Sequence, residues 1–264
     1  MRLLSADSEL ARALREEIRQ AYLLGHVEGS DGRHYEIFPD SITPERAAFV
    51  ESVCSFARPT VTLEIGMAWG MSTLSILSTQ CEGTHGFHPH VVIDPWQAAS
   101  YRRAALLSLR RAGAEALIEF HQQPSVAVLP RLSGRKFDFV FVDGAHHYSA
   151  VFCDLWLLHP LLRPGSVVVV DDVWFDDIRR ACRFAEINLG YKFHSEYPSG
   201  GQQPLLRAYV VEPVARDDQR FGDKFSRARS RLLRRYRRGL MIQALRRLHL
   251  MRPATHPKVA KSKN

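Results

Sequence analysis

Residues 61–77 read VTLEIGMAWGMSTLSIL: a β-branched run, an acid at Glu64, glycines at Gly66 and Gly70, then small hydroxyl residues opening a helical pattern. The run predicts a buried strand over 61–65 and the following pattern a helix over 71–79, so both glycines fall in the turn between them. Gly66 lets the chain leave the strand at torsions closed to other residues, and Gly70 keeps a Cβ away from whatever approaches the helix start. In an open α/β sheet ligands bind beyond the carboxyl ends of the strands, and the first such turn meets them most closely. The glycine spacing departs from the G-x-G-x-x-G of a dinucleotide site. Glu64 argues the same way, because a carboxylate repels a pyrophosphate and attracts a cationic group.

Outward from this turn, strands and helices alternate. Apolar runs at 91–93, 117–121, 137–142 and 167–170 read as further buried parallel strands, with helical patterns at 98–111, 125–132, 149–162 and 175–189. This βαβ repetition predicts a doubly wound, Rossmann-like sheet with helices on both faces. The rhythm breaks at YKFHSEYPSGGQQPLLRAYVVE, two strand-like runs joined through Ser199-Gly200-Gly201 without a helix, which predicts a closing antiparallel hairpin and a seven-stranded sheet. Ahead of the sheet, Leu10, Leu14, Ile18 and Tyr22 recur at four-residue intervals and predict an amphipathic helix over 5–24. A second N-terminal helix is expected after Thr43, a suitable N-cap, with Pro44 in its first turn. The expected divisions are an N-terminal helical lid or substrate region (1–58), a ligand-binding domain (59–214) and a basic tail (215–264).

The chain has 264 residues, 45% of them hydrophobic, and a net charge of +8. One full-sized core is expected at that length. From Ala215 onward there are 16 Lys/Arg against three Asp, a balance of +13, which leaves −5 on residues 1–214. Phe225, Leu232, Tyr236, Leu240, Ala244 and Leu248 form one apolar stripe in that tail, so a basic amphipathic helix is expected. Its occupants in prospect are the acidic body, a second copy, an anionic membrane surface or a polyanion; arginines without interleaved aromatics argue against sequence-specific nucleic-acid reading. Four widely spaced cysteines, Cys54, Cys81, Cys153 and Cys182, with no C-x-x-C pair, suit a reduced cytoplasmic chain and ordinary packing. The start shows no signal-peptide pattern, and nothing approaches the roughly 18 apolar residues of a membrane span. A cytoplasmic protein, peripheral at membranes through its tail, is the expectation. The histidines of THGFHPH, His85, His88 and His90, read as a solvated loop at the other sheet edge.

The pattern E-x-G-x-x-x-G, followed by the acid Asp94 at the end of VVID, resembles the class I S-adenosylmethionine (SAM) methyltransferases. The segment FDFVFVDGAHHYSAVFCDLWLLHPLLRPGSVVVVDDVW sharpens the likeness, because it resembles the family with small-molecule O-methyltransferases and cephalosporin-hydroxylase-like proteins. There the fourth strand ends in D-G-x-H and the fifth in an acidic pair. The likeness covers about residues 43–211 and leaves both termini outside. It implies that Glu64, Gly66, Gly70 and Ser72 hold the methionine end of SAM. Asp94 would accept from the ribose hydroxyls, and Gln97 and Ser125 would border the adenosine, although Gln-Pro-Ser stands where Gly-Asp is common in the family.

Asp143, Asp171 and Asp172 are expected to converge at the ends of neighbouring strands, where like charges raise a pKa or call for a cation. Mg²⁺ is the expected cation, since hard divalent ions take oxygen ligands and keep positions open; metal-dependent members of the family place acids at the corresponding strand ends. The implied chemistry is methyl transfer to a hydroxyl of a small molecule, with Asp143 and His146 as catalytic groups. His147 is the alternative base, and His146 has an equally simple reading as a residue that orients Asp143 or caps a helix. The competing functions are a non-catalytic methyltransferase-fold protein recruited by its basic tail, and a hydroxylase-like or N-methylating relative. A homo-oligomer is a further expectation.

Overall fold

The computed structural model describes residues 3–83, 86, 88–199 and 205–213. Its elements in chain order are α1 (Leu3–Leu24), β1 (His26–Glu28), β2 (His34–Glu36), α2 (Pro44–Ala57), β3 (Thr62–Ile65), α3 (Met71–Glu82), β4 (His90–Ile93), α4 (Ala104–Arg111), β5 (Ile118–His121), α5 (Ser125–Val128), β6 (Phe137–Val142), α6 (Tyr148–Leu158), β7 (Leu162–Val170), α7 (Asp176–Asn188), β8 (Tyr191–Tyr197) and β9 (Leu206–Val211). Residues 1–214 form one compact unit.

The main sheet has seven strands in the order β5-β4-β3-β6-β7-β9-β8. The first five are mutually parallel and β9 runs antiparallel to both β7 and β8, so the expected closing hairpin is present. Strand alternation sends Phe139, Phe141, Val167 and Val169 into the core under the N-terminal helices. Val140, Val142, Val168 and Val170 enter the second core with residues of α6 and α7, including Leu155, Leu158 and Ala181. Both faces are therefore covered, the condition that lets parallel strands be apolar throughout.

Helix α1 packs on α3 and buries Ala11, Leu14, Ile18 and Ala21 in the core they share, and the Arg15 guanidinium donates to Glu82 at 2.8 Å from both Nε and Nη2. In α2, Pro44 stands in the first turn and the Thr43 hydroxyl accepts from the Arg46 N–H at 3.4 Å, as the sequence predicts. Two expectations change and one element is new. The hairpin of β1 and β2, with Val27 opposite Tyr35, is an addition. The helix expected over 98–111 begins only at Ala104, because the Gln97 carbonyl takes the Arg103 N–H at 2.7 Å and residues 102 and 103 turn through positive φ. His90 is no loop residue: it opens β4, fully buried, with Nδ1 2.7 Å from the Thr62 hydroxyl. The basic tail lies outside the described residues, as does His85. Among the described residues no helix is long and apolar enough to cross a membrane.

Candidate active site at the carboxyl edge

Strand ladders continue one residue beyond the strands and line up the site. Gly66 N–H donates to the Ile93 carbonyl (2.9 Å), Asp94 N–H to His121 (3.0 Å), Asp143 N–H to Ile65 (2.8 Å) and Asp171 N–H to Val142 (3.0 Å). Gly66, Asp94, Asp143 and Asp171 are thereby fixed side by side on one edge. Gly66 sits at φ +92°, and a Cβ there would lie 1.9 Å from the Asp143 carbonyl oxygen, so only glycine permits the approach of the two backbones. Gly70, at φ +93°, has a different restraint: its missing Cβ would meet Ala105 of α4 at 2.7 Å, so the space it saves serves helix packing.

The acids near the turn are spent largely on holding it. Asp94 is buried; its Oδ2 accepts from Met67 N–H (3.1 Å), Ala68 N–H (2.9 Å) and Gln97 Nε2 (3.0 Å), and its Oδ1 from Trp96 N–H (2.7 Å). Only Oδ1, with a single donor, keeps accepting capacity for a further hydrogen bond. Gln97 adds a second bond, Nε2 to the Ala68 carbonyl at 2.6 Å, and so clamps the turn. Glu64 is fully buried, accepting from Thr73 Oγ1 at 2.5 Å, with His90 Nε2 at 3.3 Å. Ser125 Oγ donates at 2.5 Å to Asp154, a carboxyl on α6 whose pKa burial pushes up to about 6. The sequence gives no warning of that pair.

Three buried polar atoms around the turn lack a partner: Glu64 Oε1, Trp69 Nε1 and Gln97 Oε1. Helix α3 also begins without a side-chain cap at Gly70, leaving its first amides for a ligand, with Ser72 buried in that first turn. A polar ligand with both cationic and anionic groups suits this set: the amides favour a carboxylate and Glu64 an ammonium. Trp96, 59% exposed beside Asp94, offers a ring face that sequence reasoning missed. Trp69 is core, stacked on Tyr35 at 5.8 Å and edge-on to Tyr101 at 5.0 Å.

The acid cluster only partly follows expectation. Asp143, His146 and Asp172 each bring one potential ligand atom within 4.8 Å of the others. Asp171 is not in that group. It is buried and paired with the Arg46 guanidinium, which reaches in from α2 and also lies 3.1 Å from Asp172 Oδ1. Arg46 is the principal residue the sequence analysis overlooked. His146 Nε2 lies 3.0 Å from Asp172 Oδ2 and 3.9 Å from Asp143 Oδ1, and its ring stacks on Phe175. Trp174 Nε1 donates to Asp172 Oδ1 at 3.0 Å. His147 is exposed and precedes α6 without a side-chain capping bond.

Electrostatics follow from this crowding. Burial, then the Asp143 charge, pushes the Asp171 carboxyl above the usual carboxylate range, against the pull of Arg46. Burial and the Asp172 charge also raise Asp143, while His146 and Arg46 oppose them. Asp143 first, with the charges of Asp172 and Asp171, holds the His146 imidazole above its ordinary 6.5. The cluster is thus an acid pocket with a guanidinium of its own.

Comparison with known proteins bears on the fold that carries this edge. Residues 63–173 match the family model described as a methyltransferase domain. O-methyltransferase hkm8 of Aspergillus hancockii is 30% identical over 131 residues, 49% of each chain. Catechol O-methyltransferase of Mycobacterium tuberculosis is 33% identical over 111 residues, 42% of this chain and 47% of that one. The chain thus spans about half the length of the curated relatives it matches. Among solved structures, the O-methyltransferase from Bacillus cereus in complex with SAH superposes with a TM-score of 0.57 at 17% identity, over 75% of this chain and 90% of that one, which establishes the shared fold.

Proposed function

We propose that this class I methyltransferase domain binds SAM across the turn 66–70 and transfers its methyl group to a hydroxyl of a small molecule. The observation that carries the reading is the contact of Gly66 with the Asp143 backbone, since it sets a turn with unpartnered polar atoms directly beside an acid and histidine cluster. The names of the relatives, both O-methyltransferases, support the same chemistry.

SAM, when bound, supplies an electrophilic methyl on a sulfonium. The protein's part is to orient and to move one proton. The first amides of α3 would hold its carboxylate, Glu64 its ammonium and Asp94 Oδ1 a ribose hydroxyl, and Trp96 and Ser125 would border the base. His146 serves as the base. With Nε2 directed at Asp172, its Nδ1 is the nitrogen that accepts the acceptor's proton as oxygen forms its bond to the methyl. Phe175 holds the ring and Asp143 stabilises the imidazolium that results.

A second reading retains the expected magnesium ion, favoured by the convergence of Asp143, His146 and Asp172. A divalent ion there would polarise the acceptor hydroxyl. Its fit is incomplete, because Arg46 holds the third carboxylate and a nitrogen ligand suits magnesium poorly. The basic tail is proposed to bring the protein to an anionic surface. Calorimetric titration with SAM and NAD⁺, each with and without Mg²⁺, tests the donor site. SAM binding alone supports the reading; NAD⁺ binding, or binding of neither, overturns it.

A further inference from the structure

We infer that Arg46 is the resident cation of the acid cluster, a positioning residue that takes Asp171 out of any metal ligand set and fixes Asp172 for His146. The inference rests on the reading of the carboxyl edge as the site of methyl transfer. Arg46 belongs to the first turn of α2, where the Thr43 hydroxyl caps its own amide, so the backbone from which the side chain extends is fixed. The guanidinium pairs with Asp171 Oδ1 and lies 3.1 Å from Asp172 Oδ1. The pair is largely withdrawn from water, the Arg46 side chain being 15% exposed and that of Asp171 1%, and it engages one oxygen of the acid: Asp171 Oδ2 and Arg46 Nε are buried without a hydrogen-bond partner.

The occupancy of Asp172 shows what this achieves. Its Oδ1 faces Arg46 and Trp174 Nε1, its amide donates to Asp171 Oδ1 at 2.7 Å, and Oδ2 is left for His146. These bonds hold a non-glycine residue at φ +54°. An ion that recruited Asp171 would strand the guanidinium charge in a buried place, a penalty larger than that of leaving the acid with its partner. Divalent ions are therefore confined to Asp143, His146 and Asp172, and bind weakly. Charge compensation that three acids demand comes from within the chain, and it ties the N-terminal helices to the reacting edge.

Mn²⁺ is the probe, with binding to the full chain followed by the loss of its free-ion electron paramagnetic resonance signal. Arg46→Met keeps length and removes charge, which frees Asp171; Mn²⁺ affinity is expected to rise about tenfold or more, given that each tenfold step needs only 1.4 kcal/mol. Arg46→Lys retains a cation and stays weak. Adding Asp171→Asn to Arg46→Met returns the affinity to the wild-type value, a rescue that a merely structural role for Arg46 would not produce. Wild-type binding as tight as that of Arg46→Met overturns the inference. If Arg46→Met does not fold, wild-type Mn²⁺ binding that is lost in Asp171→Asn overturns it equally, because Asp171 would then be a ligand with Arg46 present. SAM titration on the same samples keeps the two ideas apart: absent SAM binding defeats the methyltransferase reading and leaves the metal result standing.

Discussion

Replacing Gly66 by alanine tests the contact on which the site is built. Two costs are involved and they can be separated. A left-handed backbone costs an L-residue roughly 1–2 kcal/mol, and Gly113→Ala measures that term alone, since Gly113 has φ +73° and a Cβ there meets nothing within 4 Å. Gly66 carries the same strain and adds a Cβ 1.9 Å from a carbonyl oxygen of the main chain, which cannot rotate away. Overpacking of this kind costs typically 1–3 kcal/mol more, so the total for Gly66→Ala is about 2–5 kcal/mol, a large part of the stability of an ordinary domain. Urea unfolding followed by far-ultraviolet circular dichroism gives the difference from the midpoints at constant slope. Gly70→Ala should fall between the two, its obstacle at 2.7 Å being the Ala105 methyl group. A Gly66→Ala protein no less stable than Gly113→Ala would refute the reasoning, because the strand ends would then not be in contact.

The remaining predictions concern protons and charge. His146 titrates above 6.5, so methyl transfer, once an acceptor is found, should decline on acidification through a pH above that value; His146→Asn should lower kcat by about 10²–10⁴ and abolish that limb, and a limb that persists would assign it to another group. Asp154 binds a proton up to about pH 6 when folded against 3.8 ordinarily, so the folded chain holds more protons than the unfolded one in that window and stability falls as pH rises across it. At pH 7 the cost is up to about 3 kcal/mol. Asp154→Asn, which still accepts from Ser125, should therefore be the more stable protein at pH 7, and an equal or lower urea midpoint there would contradict the assignment. Truncation after Glu212 should remove salt-sensitive sedimentation with anionic liposomes; unchanged binding would move that property to the body.

Much of this is legible in the sequence, for a reason visible in particular residues. Parallel strands buried on both faces must be apolar throughout, so runs such as VVVV and FDFVFV announce themselves, and a residue at a strand end inherits its position from the strand. Asp143, Asp171 and Gly66 could thus be placed on one edge before any contact was known. Hydrogen-bond partners are another matter, because they depend on strand order and on helix docking. Asp94 stands where a ribose acid is expected, yet the turn it supports claims most of its lone pairs. His90 looks like part of a polar loop until β4 pairs with β3 and buries it beside Glu64.

Arg46 shows how far the argument from charge can reach. Three acids at one edge call for positive charge nearby or a retained proton, and that follows from the strand ends alone. What supplies the charge does not follow, since a metal ion and a guanidinium satisfy the same sum; Arg46 and Asp172 are 126 positions apart. One local sign was nevertheless present. Arg46 precedes Val50, Val53 and Cys54 by four, seven and eight residues, the register of the buried stripe of α2. A basic residue in that register must find an anion or leave the interior. Read together, the excess of acid at the strand ends and the misplaced base on the helix predict each other, whereas either one alone invites a ligand from outside.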